Sequence, residues 1–149
     1  MQPALLSQFS PQLLAMACEG LASMDYSPGD RAIASLFAQF EASMGEAKLM
    51  DCTTMLSALV LWRSVPQGAL GPACCLKLLQ AVEVRWSQGS ISMWYLAGKV
   101  APALRHIIRA ARDAPEVQAL ANRLLLRCYL AIEQGNAVHL QARLRDGGL

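Results

Sequence analysis

Ser10-Pro11-Gln12-Leu13-Leu14-Ala15-Met16-Ala17-Cys18-Glu19-Gly20-Leu21-Ala22-Ser23-Met24-Asp25-Tyr26-Ser27-Pro28-Gly29 is the stretch that decides the fold. A serine before a proline is a favoured helix start, because the hydroxyl caps the first turn and proline has no N–H to leave unpaired. Leu13, Leu14, Ala17, Cys18, Leu21 and Met24 then recur at helical spacing, and 25–29 reads as a turn. A second apolar stripe follows at Ile33, Leu36, Phe37 and Phe40. A looser copy of both stripes stands about forty residues on. It contains Met55, Leu56, Leu59, Trp62 and Pro66, then Gly71-Pro72 and Cys75, Leu78, Leu79 and Val82.

The register of the copy can be checked residue by residue. Leu21 to Leu59, Met24 to Trp62 and Pro28 to Pro66 are each 38 apart. Gly29 to Gly71, Ile33 to Cys75, Leu36 to Leu78, Phe37 to Leu79 and Phe40 to Val82 are each 42 apart. Unrelated amphipathic helix pairs would share apolar spacing of this kind. Repetition is favoured because one four-residue insertion, Gln67-Gly68-Ala69-Leu70, reconciles both offsets in an inter-helix loop, where insertions are tolerated. A repeat of about 40 residues built from helix pairs implies an α-solenoid, an architecture used for binding.

Composition agrees with one all-α domain over residues 1–149. Apolar residues make up 54% and charged residues 16%, and the chain is long enough to bury a substantial core. No run alternates with period two between hairpin turn signals, so no strand is expected. The spacing predicts helices over 11–24, 30–44 (ended by Gly45), 51–64 and 71–86, with a turn at 87–90. A fainter third pair follows at 91–100 and 102–112. Asp113 is expected to cap a helix that Gly135 stops, and Asn136 to cap a last short helix ending near Arg145. The repeats are thus placed at 9–45, 48–87 and 90–113, with C-terminal helices over 114–146. The most apolar run, 55–62, is far short of the ~20 residues that cross a bilayer, so membrane insertion is not expected. The apolar surplus implies faces covered by protein partners.

Cys18, Cys52, Cys74, Cys75 and Cys128 are odd in number and lie on or beside apolar stripes, with no C-x-x-C and no histidine close by. They read as small hydrophobes in a reducing compartment, and neither a metal site nor a cofactor is expected. There is no Gly-rich phosphate loop, G-x-S-x-G or H-E-x-x-H, and His106 and His139 are far apart. No catalytic residue or small-molecule substrate is expected, so the chain reads as a non-enzyme.

Charge is the second clue. Residues 1–58 carry two basic and six acidic side chains, a balance of −4, and residues 59–149 carry eleven and five, a balance of +6. Arginines supply nine of those eleven, and the guanidinium fork suits bidentate phosphate contact. Arg105, Arg109 and Arg112 fall at i, i+4, i+7 with His106 beside them, and Arg123 and Arg127 repeat the i, i+4 spacing. These five are the candidate residues for polyanion contact, with Lys77, Arg85 and Lys99 peripheral; a merely solvated helix face is the alternative.

Leu14-Ala15, Gly20-Leu21-Ala22, Met24 and Tyr26-Ser27-Pro28, echoed by Leu56, Ala58-Leu59, Trp62 and Pro66, resemble the first helix of octotricopeptide repeats. They are similar also to the FAST-kinase-like repeats of organellar RNA-binding proteins. The resemblance covers residues 9–85, with Glu19 standing where the family often has an aromatic, and a third copy around Trp94, Tyr95 and Leu96 is barely recognisable. It implies RNA binding in mitochondria or chloroplasts. Three repeats offer too little surface to read a long RNA alone. The expectation is therefore a structural subunit of an organellar ribonucleoprotein, with a mitochondrial ribosome foremost, that holds structured ribosomal RNA and neighbouring protein subunits. A purely protein-binding adaptor is the alternative. Met1 to Phe9 lacks a basic residue and so does not read as an intact transit peptide; removed targeting residues, an incomplete chain and a cytoplasmic location all stay open.

Overall fold

Ser10 Oγ accepts the Leu13 N–H at 3.2 Å and Pro11 fills the first turn, so the first helix, α1, runs Pro11–Ser23. The structure is a computed structural model that describes residues 9–87 and 91–147. The reading of residues 1–8 and of 88–90 in the expected turn lies outside the described residues. Five further long helices follow: α2 (Asp30–Ala42), α3 (Leu49–Leu61), α4 (Gly71–Trp86), α6 (Ala101–Ala110) and α7 (Pro115–Arg145). A single helical turn, α5 (Met93–Tyr95), leads into α6 through a π turn at Leu96–Val100. No strand occurs among the described residues.

α1 lies along α3, and α3 meets the π turn and α6; α2 is tied to α4, and α4 packs on α7. Within pairs, α1 meets α2, α3 meets α4 and α6 meets α7. Ile33, Leu36, Phe37 and Phe40 of α2 are all buried, as are Cys75, Leu78, Leu79 and Val82 of α4 at the positions 42 residues on. α1 and α3 each have 13 residues and start and stop 38 positions apart. Their ends match bond for bond. Asp25 (φ 59°) and Arg63 (φ 55°) both turn left-handed, and the next residue's N–H reaches back to the helix, Tyr26 to the Leu21 carbonyl at 3.0 Å and Ser64 to that of Leu59 at 2.9 Å. This is the left-handed helix closure that satisfies carbonyls left over in the last turn.

Polar ties cross between helices and loops distant in sequence. Trp62 Nε1 donates to the Tyr26 carbonyl at 2.8 Å, and Gln67 Nε2 donates to that of Ala110 at 2.9 Å. The Tyr95 hydroxyl lies 3.0 Å from Thr54 Oγ1 and donates to Glu19 at 3.4 Å, joining α5 to α3 and α1. Glu19 therefore has a polar partner.

Several boundaries differ from the sequence reading. α2 stops at Ala42, and Gly45 lies inside a 3₁₀ turn, Met44–Glu46. α3 starts at Leu49 because Asp51 accepts the Lys48 N–H at 2.9 Å from the third helical position, capping the helix from inside. The third pair is not two helices at 91–100 and 102–112. Residues 93–110 keep helical backbone throughout, and the π turn before Pro102 absorbs the hydrogen bond that proline cannot donate. Ala114, rather than Asp113, occupies the cap position of α7. Gly135 does not stop α7, which continues unbroken to Arg145. The reason is packing: a Cβ at Gly135 would lie 3.0 Å from Met93 Sδ, so glycine lets α5 approach α7 closely.

The thiols are fully consistent with packing roles. Burial pushes Cys18 and Cys52 up to about 11 and Cys75 and Cys128 up to about 12, so all four stay protonated at neutral pH. Among the described residues, no helix is long and apolar enough to cross a membrane.

Candidate nucleic-acid interface

The left-handed residue that closes α3 is an arginine, and the loop it opens is unusually tight. Leu70 and Gly71 N–H groups both donate to the Ser64 carbonyl, at 3.1 and 3.3 Å, folding 64–71 back on itself. Gly68 (φ 103°) passes so close to Arg63 that an added Cβ would sit 2.4 Å from the Arg63 carbonyl oxygen. Ser64, Val65 and Pro66 are buried beneath, while Arg63 points outward. Gln67, bonded to the end of α6, holds this loop against that helix. The result is an open cleft of about 250 Å³ lined by Arg63, Pro66, Gln67, Gly68, His106 and Ala110.

Electrostatics within the cleft are one-sided. Burial, then the charge of Arg109, then that of Arg63 hold the His106 imidazole below its ordinary pKa. Arg109 and Arg112 are exposed, and Arg105 is half-buried with Nη1 donating to the Tyr129 hydroxyl at 2.9 Å. Among the described residues, only Lys77 with Glu41 (3.3 Å) and Arg123 with Glu83 (3.1 Å) form ion pairs within 4 Å. Arg63, Arg105, Arg109 and Arg112 have no carboxylate that close among the described residues. Positive charge without a protein counter-ion beside an open cleft is an anion-attracting arrangement.

The eight residues singled out in the sequence do not form one face. Arg105 and Arg109 share α6 with His106, but α6 ends at Ala110, so Arg112 leaves the i, i+7 register and stands in the turn before α7. Arg123 and Arg127 look towards α4 instead. Arg123 pairs with Glu83, and the Arg127 guanidinium lies 4.9 Å from the ring centre of Trp86. Tyr129, which meets Arg105, lies on the other flank of α7, so α7 separates the two arginine groups. Lys77 is spent on Glu41, and Lys99 is half-buried within the π turn. Arg85 is a clip: its guanidinium donates to the carbonyls of Met44, Ala47 and Ala81, fastening the α2–α3 connection to α4.

Arg63 was not among the residues the sequence singled out. One signal could have found it: the 38-residue offset that aligns Pro28 with Pro66 also aligns Asp25 with Arg63, a charge reversal at a turn. No three His, Cys, Asp or Glu side chains cluster as metal ligands among the described residues. No protein-family model matches the chain, and comparison with curated proteins and with solved structures finds no match.

Proposed function

We propose that this chain is a short α-solenoid of degenerate helix-pair repeats, of the octotricopeptide or FAST-kinase-like kind, that contacts RNA without catalysing a reaction. The observation that carries the reading is the meeting of Arg63 and His106 in one open cleft, with Arg109 close enough to His106 to depress its pKa and, among the described residues, no carboxylate within ion-pair distance of either arginine. The bond-for-bond match between the ends of α1 and α3 supports a repeat. The third unit is then α5–α6 with α7, and the loops after α1 and α3 line one edge of the stack. Guanidinium groups along such an edge suit the regularly spaced phosphates of a nucleic-acid backbone.

A scaffold of this size makes few contacts by itself, which fits a subunit of an organellar ribonucleoprotein such as a mitochondrial ribosome, holding structured RNA and neighbouring proteins together. A protein-only adaptor is the second reading, favoured by the exposed Leu13, Met16, Met24 and Tyr26 on and after α1. Copurification separates the two. The chain, isolated without nuclease, should carry an absorbance excess at nucleic-acid wavelengths that ribonuclease removes. Stoichiometric protein partners with no nucleic acid would favour the adaptor.

A further inference from the structure

α7 is apolar on two opposite sides. One side supplies Val117, Leu120, Ala121, Leu124 and Cys128 to the core and rests Gly135 on Met93. The other carries Leu126, Leu130, Glu133, Ala137, Leu140 and Leu144, all exposed. Their spacing is 4, 3, 4, 3, 4, the alternation that keeps one seam of a helix facing a partner helix. A helix that needed only to cover its own core would be polar on this side. Leu13 and Met16 on α1 are exposed too, but no third large apolar residue extends them along that helix at the same spacing.

We propose that α7 pairs antiparallel with α7 of a second copy of this chain, across a two-fold axis beside residue 135. The argument is self-complementarity, which an isologous contact demands. Turned about that midpoint, Leu126 meets Leu144 of the second copy, Leu130 meets Leu140, and Glu133 meets Ala137. The single charged residue of the seam thus faces its smallest side chain, which leaves room for the carboxylate to reach water. A slip of one heptad either way would bring Glu133 against Leu144 or Leu130, so the charge fixes the register, as polar seam residues do. On the flanks, antiparallel pairing places Arg127 beside Gln141 of the second copy and Arg143 of the second copy beside Tyr129, whose hydroxyl accepts from Arg105, so one flank carries a like-charge approach that salt screens. The seam is about 27 Å long at 1.5 Å per residue. A seam this short suits a weak, concentration-dependent pair.

Sedimentation of the full chain from about 1 to 100 µM tests this. Monomer should convert to dimer across that range, and Leu140→Lys with Leu144→Lys should stay monomeric with unchanged helical circular dichroism. A chain that is monomeric throughout, or a dimer that persists in the lysine variant, overturns the proposal. Cysteine cross-linking checks orientation independently of that variant's folding. Leu126→Cys with Leu144→Cys should oxidise rapidly to a covalent dimer, since the two positions are too far apart to pair within one helix. Leu144→Cys alone should not cross-link beyond the wild-type background. Rapid cross-linking by Leu144→Cys alone would mean a parallel pair and overturn the register.

Discussion

Substituting alanine for Gly68 perturbs the loop that carries Arg63, and Gly29 provides the comparison. Gly29 adopts φ 93°, ψ 159°, a region essentially reserved for glycine, but an added Cβ there meets nothing within 4 Å. Gly29→Ala should therefore cost only backbone strain, about 1–3 kcal/mol. Gly68 carries the same kind of positive φ, and its added Cβ would also sit 2.4 Å from the Arg63 carbonyl oxygen. That obstacle is backbone in a loop already closed by the Leu70 and Gly71 hydrogen bonds to Ser64, so it cannot swing away as a side-chain tip would. Forcing it aside adds a further cost of about 1–3 kcal/mol, the usual scale of overpacking. At about 2–4 °C per kcal/mol for a chain of this size, Gly68→Ala should melt several degrees below Gly29→Ala. Differential scanning calorimetry on the two variants and the parent reads the difference directly. Because the loop positions Arg63, Gly68→Ala should also weaken RNA binding while Gly29→Ala does not. Equal melting temperatures for the two variants would refute the close approach of Gly68 to Arg63 and the loop geometry built on it.

Trp62→Phe keeps an aromatic ring, though a smaller one, and removes the donor to the Tyr26 carbonyl, and should cost at least about 1 kcal/mol in chemical denaturation; no change would mean the tie between the two turns contributes nothing. In native protein at pH 8, one thiol, Cys74, should react promptly with a disulfide reagent, and the four buried ones only after denaturation, since burial holds them protonated. Prompt release of more than one equivalent would contradict that burial. Gly135→Ala should change stability little in the parent, because a helix-propensity gain of about 0.5–1 kcal/mol is offset against Met93 Sδ; in a Met93→Ala background the gain should emerge, as a double-mutant cycle will show.

Helix starts were largely legible in the sequence, as were the stops at Ser23 and Trp86, whereas the stops expected at Gly45 and Gly135 were not where the helices end. Ser10-Pro11 and Gly71-Pro72 act locally, through a hydroxyl, a fixed φ and a missing N–H, so reading them needs no knowledge of neighbours. Gly45 and Gly135 read as stops because glycine favours helix ends, but what a glycine does depends on what faces it, and Met93 lies 42 residues from Gly135 in sequence. The four matched core positions of α2 and α4 were visible because burial follows periodicity. The candidate site was legible only in part. Arg105, Arg109 and His106 share one helix, and helical spacing brings them together. Arg63 reaches them only through a long-range docking of the α3–α4 loop on α6, held by Gln67 and Ala110. Spacing likewise could not reveal that Arg123, Arg127 and Arg85 face Glu83, Trp86 and backbone carbonyls.

The salt dependence of RNA binding tests the central claim most directly. Anisotropy of a labelled single-stranded RNA, titrated with the parent and with a variant carrying Gln at positions 63, 109 and 112, gives log affinity against log salt for each. Each neutralised phosphate contributes a slope of about −0.7, so losing three contacts should flatten the line by about two. Structure should be retained, since these exposed charges add only a few tenths of a kcal/mol each. A pH series sharpens the test. Burial and the charges of Arg109 and Arg63 depress the His106 pKa, and a bound phosphate screens those charges and raises it. Binding should then take up a proton, so parent affinity should rise as pH falls from about 8 to 6, an effect that His106→Gln abolishes. The flatter slope and the proton uptake should appear together. An unchanged slope in the triple variant, or no RNA binding at low salt, would contradict it.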